Sequence, residues 1–112
     1  MAKARKPHET SGKKDREIRF TKAFKKDLAR ASSHKKCDLA ELKKVIRELV
    51  SRATLDKKYL DHPLQGRYPE HRNGTTDCRE CHVCNDWLLV YRFPDDESVD
   101  LIRTGTHSDL FA

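Results

Sequence analysis

The chain has 112 residues, enough for one domain and too few for two independent hydrophobic cores. Charged residues make up 38% of it and the mean hydropathy is -0.91, yet apolar residues recur in periodic stretches, which predicts a folded domain rather than a disordered chain. No stretch is long and apolar enough for a secretion signal or a membrane span, so we expect a cytoplasmic protein that does not enter a membrane.

Charge is divided unevenly along the chain. Residues 1–58 hold 19 of the 24 Lys and Arg but 8 of the 18 Asp and Glu, a net charge of +11; the remaining 5 and 10 give residues 59–112 a net charge of -5. The basic half suits a polyanion such as nucleic acid, although a solvated helix face would have the same composition. The acidic half contains no Lys, so positive charge at any site there must come from Arg or His.

The first ordered element is predicted near residue 16. Residues 1–15 are rich in Lys and include Pro7 and Gly12, which indicates a flexible basic tail, and residues 16–112 form the predicted folded domain. Within that domain, residues 16–20 alternate polar and apolar side chains, as a short strand does.

Two amphipathic helices are predicted next. Thr21 is a suitable N-cap for a helix over residues 22–34, in which apolar residues recur at helical spacing. Asp38 caps the second helix, and Glu41 stands three residues later, as in a capping box. The two helices predict a helical hairpin. The segment over residues 61–77 is rich in Pro, Gly and Asn and therefore predicts turns.

Three strand-like runs follow, over residues 78–83, 87–93 and 98–104. Their short connections predict an antiparallel meander, with the apolar run at residues 87–93 as the central strand. The predicted fold is therefore α+β, with an N-terminal strand and a helical hairpin packed on one face of a small antiparallel sheet. The opposite face of this sheet is left free to bind a ligand.

The run CRECHVC at residues 78–84 has cysteine spacings that occur in haem and zinc sites. Attachment of c-type haem would need an export signal and an axial partner. Structural zinc would need Cys78, Cys81 and Cys84 to converge, but residues three apart in a strand point to opposite faces. We therefore expect reduced thiols on a strand and no metal or other cofactor, with a zinc-stabilised binding module as the alternative.

Several titratable side chains fall at strand ends or in loops of the predicted sheet. They are His62, His82, Asp86, Arg103 and His107. Each alone is more often a surface or turn residue than a catalyst. Together they suit cleavage of RNA by its own 2′-hydroxyl, which needs a base, an acid and a cation for the phosphate, without a metal ion. Trp87, Tyr68 or Phe111 could stack on a base, although Trp87 also suits the core.

Four stretches resemble YafQ-type toxins of the RelE/ParE superfamily. They are HPLQG at residues 62–66, RECHV at 79–83, NDWLLVYRF at 85–93 and LIRTGTHSDLF at 101–111. The resemblance covers residues 16–112 and implies a small α+β toxin that enters the ribosomal A site and cuts messenger RNA. It also implies a cognate antitoxin as partner, in a hetero-oligomer that binds operator DNA.

The resemblance further implies roles for individual residues. The catalytic group would consist of His62, His82, Asp86 and His107. His107 would be the general acid, the base stays open among the other three, and Arg103 would stabilise the charge of the transition state. Trp87 and Phe111 would shape the pocket and hold the substrate.

Three features depart from this pattern, namely the length of the segment between residues 67 and 78, the basic tail before Asp15 and the thiols of Cys78 and Cys84. They leave room for competing functions. One is a binding module of the same fold that cleaves nothing, and the other is inhibition of DNA gyrase, which relatives of this fold carry out and which has no need of the histidines.

Overall fold

Residues 14–64 and 77–111 are described by a computed structural model of the chain. The elements are, in chain order, β1 Glu17–Phe20, α1 Lys22–Ala31, α2 Leu39–Val50, a 3₁₀ turn at Lys57–Tyr59, β2 His62–Pro63, β3 Arg79–Cys84, β4 Trp87–Asp95, β5 Ser98–Thr106 and α3 His107–Phe111. Most of the predicted basic tail and of the predicted turn-rich segment lies outside the described residues.

The five strands form one sheet in the order β1-β5-β4-β3-β2. The β3-β4-β5 meander is antiparallel, as predicted, and β2 joins it antiparallel to β3. β1, however, runs parallel to β5, so the sheet is mixed rather than wholly antiparallel. No local pattern sets this direction, because β1 pairs with a strand that lies about 80 residues further along the chain.

Both long helices begin at the predicted caps. The side chain of Thr21 accepts a hydrogen bond from the Phe24 amide at 2.9 Å, and Asp38 accepts one from the Glu41 amide at 3.1 Å. α1 ends at Ala31, three residues before the predicted end, because the chain tightens there into turns with i to i+3 hydrogen bonds. No helix in the part of the chain that the structure describes is long and apolar enough to cross a membrane.

The helical hairpin packs on one face of the sheet, here called the helix face, and buries the main core. Its fully buried members include Phe24, Leu42, Val45, Trp87, Leu89, Tyr91 and Leu101. The opposite face, here called the open face, has a smaller buried cluster of Cys78, Val90 and Ile102, against which Leu64 and Leu110 pack. The open face is therefore partly covered by α3 and only in part available to a ligand.

The cysteines of the CRECHVC run divide between the two faces. Cys81 is buried in the helix-face core, whereas Cys78 belongs to the open-face cluster. Cys84 lies at the end of β3, where its Sγ is 3.7 Å from the carbonyl oxygen of Lys36. The zinc arrangement considered from spacing is therefore not formed, and within residues 14–64 and 77–111 no group of three His, Cys, Asp or Glu side chains could hold a metal ion.

Candidate active site

Strand register places four residues in one row across the sheet. Arg103 on β5 lies opposite Val90 on β4, Val90 lies opposite Glu80 on β3, and Glu80 lies opposite His62 on β2. Residues directly opposite each other in antiparallel strands point to the same face. Because Val90 belongs to the open-face cluster, the row lies on the open face. His82 lies on the same face, two residues beyond Glu80 along β3.

His62 is held between two oxygen atoms. Its Nε2 lies 3.1 Å from Oε1 of Glu80, and its Nδ1 lies 2.8 Å from the carbonyl oxygen of Leu60. Because a carbonyl only accepts, the contact with Leu60 is a hydrogen bond in the tautomer whose Nδ1 carries the hydrogen. Glu80 is 7% exposed, whereas about half of the His62 side chain faces solvent. Both ring nitrogens therefore contact protein oxygens, and a substrate can exchange a proton with the imidazole only where it replaces the contact with Glu80.

Asp61 fixes the short strand that carries His62. The hydroxyl of Tyr91 donates to the Asp61 carboxylate, and Arg79 donates to it through Nη2 at 2.9 Å. Burial and the hydrogen bond to Asp61 together raise the pKa of Tyr91 well above its ordinary value, so the phenol stays protonated and remains a donor. The position of β2 thus depends on side chains of β3 and β4.

A capping box starts α3 at His107. The Thr106 amide donates to Oδ2 of Asp109 and the Asp109 amide donates to Oγ1 of Thr106, both at 3.1 Å. The Thr106 amide, as the larger cause, and the Thr106 hydroxyl hold the pKa of Asp109 below its ordinary range. Gly105 permits this close turn, because a Cβ there would lie 3.2 Å from the Asp109 Cβ. His107 is therefore set at the first residue of a fixed helix.

These elements line a shallow cavity of about 280 Å³, open to solvent, on the open face. It is lined by His62, Pro63, Leu64, Glu80, His107 and Phe111. The rings of His107 and Phe111 are 5.1 Å apart, and Phe111 is 40% exposed, which suits an aromatic surface that meets a base. The ring of His82 stands beside the cavity, 6.2 Å from that of His62. The structure thus brings together the three predicted histidines and Phe111.

Arg103 is held by an acidic residue of α1. Its Nε lies 2.6 Å from Oδ2 of Asp27 and its Nη2 lies 3.0 Å from Oδ1. Asp27 is 2% exposed and also accepts a hydrogen bond from the Thr104 amide at 3.0 Å. The guanidinium is therefore fixed in plane by a bidentate pair with α1, and Arg103, although it stands opposite Val90 in the sheet, is not among the residues that line the cavity.

Two predicted site residues lie elsewhere. Trp87 is 1% exposed and belongs to the helix-face core, where its indole meets the ring of His34 edge-on at 5.0 Å. Its predicted substrate-binding role is corrected, because a buried indole cannot stack on a base. Asp86 lies in the turn after β3, where its carboxylate is 3.7 Å from Nζ of Lys36, and it does not line the cavity.

Glu80 and Asp27 were not among the predicted site residues. Glu80 had a signal in the sequence, since it stands two residues before His82 in a strand and so shares its face. Asp27 had none, because its partners Arg103 and Thr104 come 76 and 77 residues later in the chain.

The family model described as a bacterial toxin of type II toxin-antitoxin systems, YafQ, matches residues 16–112 of this chain. The mRNA interferase toxin YafQ of Escherichia coli (strain K12) is 34% identical over 97 residues, which are 86% of this chain and 96% of that protein. A chain in the crystal structure of the E. coli DinJ-YafQ toxin-antitoxin complex has a TM-score of 0.73 at 32% identity, over 88% of this chain and 99% of that chain.

A metal-bound toxin from Helicobacter pylori is similar too, with a TM-score of 0.69 at 40% identity over 85% of this chain and 98% of that chain. The fold and these matches define a toxin of the type II toxin-antitoxin class with a RelE-like α+β architecture. Within that class, the chain belongs to the YafQ family. The resemblance and the fold class predicted from the sequence are thereby confirmed.

Proposed function

We propose that this chain is an mRNA interferase that cleaves messenger RNA on the ribosome by attack of the RNA 2′-hydroxyl on the adjacent phosphodiester. The observation that carries the proposal is the cavity in which the His62–Glu80 pair and His107 meet beside an exposed aromatic ring. Two imidazoles facing one space can act as base and acid on the two sides of a phosphate. Because translating ribosomes and their messages are in the cytoplasm, the proposed activity takes place there.

His62 is the proposed general base. The Leu60 carbonyl holds Nδ1, and in the proposed step Nε2 exchanges its contact with Glu80 for the 2′-hydroxyl and takes the proton, while the nearby carboxylate stabilises the imidazolium that forms. Asp86, which was also a candidate base, is 43% exposed in a turn and bound to Lys36. A catalytic role for Asp86, and one for His82 beside the cavity, stay predictions.

His107 is the proposed general acid, which protonates the 5′-oxygen that leaves. It is exposed at the start of α3 and lines the cavity together with His62. Arg103 is the proposed source of positive charge for the phosphate, because it stands in the same row of the sheet as Glu80 and His62 and the second half of the chain has no Lys. A guanidinium binds phosphate oxygens bidentately, and donors aimed at a developing charge contribute most when they are fixed beforehand.

The proposed partners are a cognate antitoxin and the ribosome. The E. coli relative is seen in the DinJ-YafQ toxin-antitoxin complex, and the matching family model describes toxins of type II toxin-antitoxin systems. Lys25, Lys26, Lys43 and Lys44 on α1 and α2 form a basic surface on the other side of the sheet from the cavity. This surface can meet ribosomal RNA through its phosphates while the cavity receives the message.

A cleavage assay on translating ribosomes tests the proposal. Wild-type protein should cut a message that is being translated and leave the same free RNA intact, and His107→Gln should lower the cleavage rate by about 10²-fold or more. Ser108→Ala, one residue further along the same exposed turn, is the matched control and should cleave as wild type. Cleavage by His107→Gln at the wild-type rate would refute the acid assignment, and equal cutting of free RNA would refute ribosome dependence.

A further inference from the structure

We propose that Asp27 is a positioning residue for Arg103 in RNA cleavage, an inference that rests on the proposed function. Asp27 lies on α1, far from the cavity in sequence, and touches neither His62 nor His107. It acts through the guanidinium that it holds. A carboxylate with 2% exposure inside a basic helix needs strong partners, because burying an unpaired charge is costly.

The contacts of Asp27 lock its carboxylate from several directions. Oδ2 accepts from Arg103 Nε at 2.6 Å and from the Thr104 amide at 3.0 Å, while Oδ1 accepts from Arg103 Nη2 at 3.0 Å and from Arg30 Nη2 at 2.7 Å. Both oxygens are therefore fully used. Since two parallel hydrogen bonds define the plane of the guanidinium, Arg103 cannot rotate without breaking one of them.

Asp27 binds an edge of β5 that no neighbouring strand covers. β1 pairs with β5 only from Ser98 to Leu101, so the β5 backbone beyond Leu101 has no strand on that side. α1 takes over this edge: the Thr21 hydroxyl donates to the Ile102 carbonyl at 2.7 Å, and Asp27 accepts from the Thr104 amide. The start and the middle of α1 are thus fastened to the strand that carries Arg103, which fixes the carboxylate relative to the open face.

A bulge in the sheet turns Arg103 toward this carboxylate. Tyr91 pairs with Leu101 and the neighbouring Val90 pairs with Arg103, so β5 contains one extra residue, Ile102. Such a bulge re-aims the side chain next to it. Arg103 keeps its position opposite Val90, and its Nε and Nη2 both donate to the Asp27 carboxylate.

The competing explanation is that the pair only stabilises the fold. The two explanations differ in what they predict for activity once the protein is folded. A positioning role predicts that the loss of Asp27 matters only while Arg103 is present to be oriented. A structural role predicts that the loss of Asp27 lowers only the free energy of unfolding and that the folded molecules still cleave at the wild-type rate.

A double-mutant cycle under single-turnover conditions with saturating ribosomes separates them. Arg103→Gln should lower the cleavage rate about 10²-fold, as expected for the loss of one fixed donor to a developing anion. Asp27→Asn should lower it about tenfold or more with an unchanged half-saturating ribosome concentration. The double variant should be no slower than Arg103→Gln alone. If the two losses multiply, or if folded Asp27→Asn cleaves as wild type, the inference is wrong.

Two further variants test whether a change in rate comes from unfolding or from the loss of a charge alone. Arg30→Gln is the comparison, because it removes one contact of Asp27 while both hydrogen bonds to Arg103 remain; it should lose much less rate than Asp27→Asn. Arg103→Lys keeps a cation beside Asp27 and should keep the fold, yet lose about tenfold in rate, because an ammonium has no plane to orient. Full activity of Arg103→Lys would also contradict the inference.

The outcome for His107→Gln distinguishes this inference from the proposed function. If His107→Gln is inactive while folded Asp27→Asn is fully active, the proposed function stands and the positioning role fails. If the wild-type protein cleaves nothing on ribosomes, both are overturned. Thermal unfolding of each variant, followed by circular dichroism at the assay temperature, shows which molecules are folded when the rates are compared.

Discussion

His62 Nε2 lies 3.1 Å from Oε1 of Glu80, at directly opposite positions of β2 and β3. The other ring nitrogen, Nδ1, lies 2.8 Å from the carbonyl oxygen of Leu60. Leu60 has a left-handed backbone conformation with φ of 52°. Such a conformation is costly for a residue with a side chain, and here it turns the carbonyl back toward the ring. The orientation of the imidazole thus depends on the backbone of Leu60 just before it and on the Glu80 side chain of the neighbouring strand.

Replacing Glu80 with Gln should lower the cleavage rate by about tenfold to 10²-fold and leave stability almost unchanged. The amide keeps the shape of the side chain but can neither receive a proton from His62 nor stabilise an imidazolium. Stability should change by less than about 1 kcal/mol, because the contact reaches a half-exposed histidine. Ribosome-dependent cleavage and urea unfolding of the same preparations measure both quantities.

The matched comparison for Glu80 is the double variant with His62→Gln. If the carboxyl group acts through His62, the double variant should be about as slow as the slower single variant. Independent, multiplying losses would show that Glu80 contributes by another route. A loss of several kcal/mol of stability in Glu80→Gln would instead show a structural role.

Tyr91→Phe should destabilise the protein and slow cleavage although Tyr91 lies on the helix face. The substitution removes the donor to Asp61 and leaves a partly buried carboxylate with Arg79 alone. A hydrogen bond to a charged group contributes roughly 1.5–3 kcal/mol, which should appear as a lower urea midpoint. β2 should loosen as well, which predicts a several-fold slower reaction.

Phe93→Leu is the comparison for Tyr91→Phe. Phe93 packs edge-on against Tyr91 on the same strand but is bound to Arg16 and not to Asp61. It should change stability without slowing cleavage by folded molecules. Equal effects of both variants on the rate would argue against a special role of the Asp61 contact.

Local signals in the sequence account for most of the fold. The caps at Thr21 and Asp38 and the alternation in β3 act within a few residues, so their outcomes can be predicted from short stretches. β2 and α3 have two and five residues, too few for a periodic pattern. The parallel pairing of β1 with β5 depends on packing across the whole chain, which no window of the sequence contains.

In the candidate site, too, some residues could be predicted from the sequence and others could not. His62, His107 and Phe111 could be chosen because catalysis limits the useful residue types, and the structure places them around one cavity. Trp87 shows the limit of this reasoning, since an aromatic residue at a strand start suits both a core and a binding surface. The register of Trp87 with the neighbouring strands decides which face of the sheet it occupies, and it lies on the helix face, in the main core.

Alkylation of the native protein should spare Cys78 and Cys81. Burial raises the pKa of Cys78 to about 11 and that of Cys81 to about 12, so both remain neutral thiols at pH 8 and react slowly. Iodoacetamide followed by peptide mass spectrometry should find Cys84 labelled first. In urea all four cysteines should be labelled within the same time. Native Cys81 reacting as fast as Cys84 would contradict the buried position.

The same two thiols predict how stability depends on pH. Their ordinary pKa is 9.0, and it is higher in the folded state, so folding favours the protonated thiols. This contribution is complete below about pH 9 and is lost as the pH rises toward the folded values, since the unfolded chain then gives up protons that the folded chain retains. Cys78→Ala should make the alkaline loss of stability smaller.

Gly105→Ala should displace α3 and slow cleavage more than it destabilises the fold. A Cβ at residue 105 would lie 3.2 Å from the Asp109 Cβ and 3.3 Å from the Leu110 Cδ2, tighter than ordinary van der Waals contact. The backbone of α3 must give way by a few tenths of an ångström, and His107 moves with it. Overpacking of this size costs about 1 kcal/mol, whereas a small displacement of an acid can cost tenfold or more in rate. Urea unfolding and single-turnover cleavage test the two effects, with Ser108→Ala as an unchanged control. Wild-type cleavage by Gly105→Ala would show that the proton transfer tolerates a shifted α3, and the close turn at Gly105 would then serve folding alone.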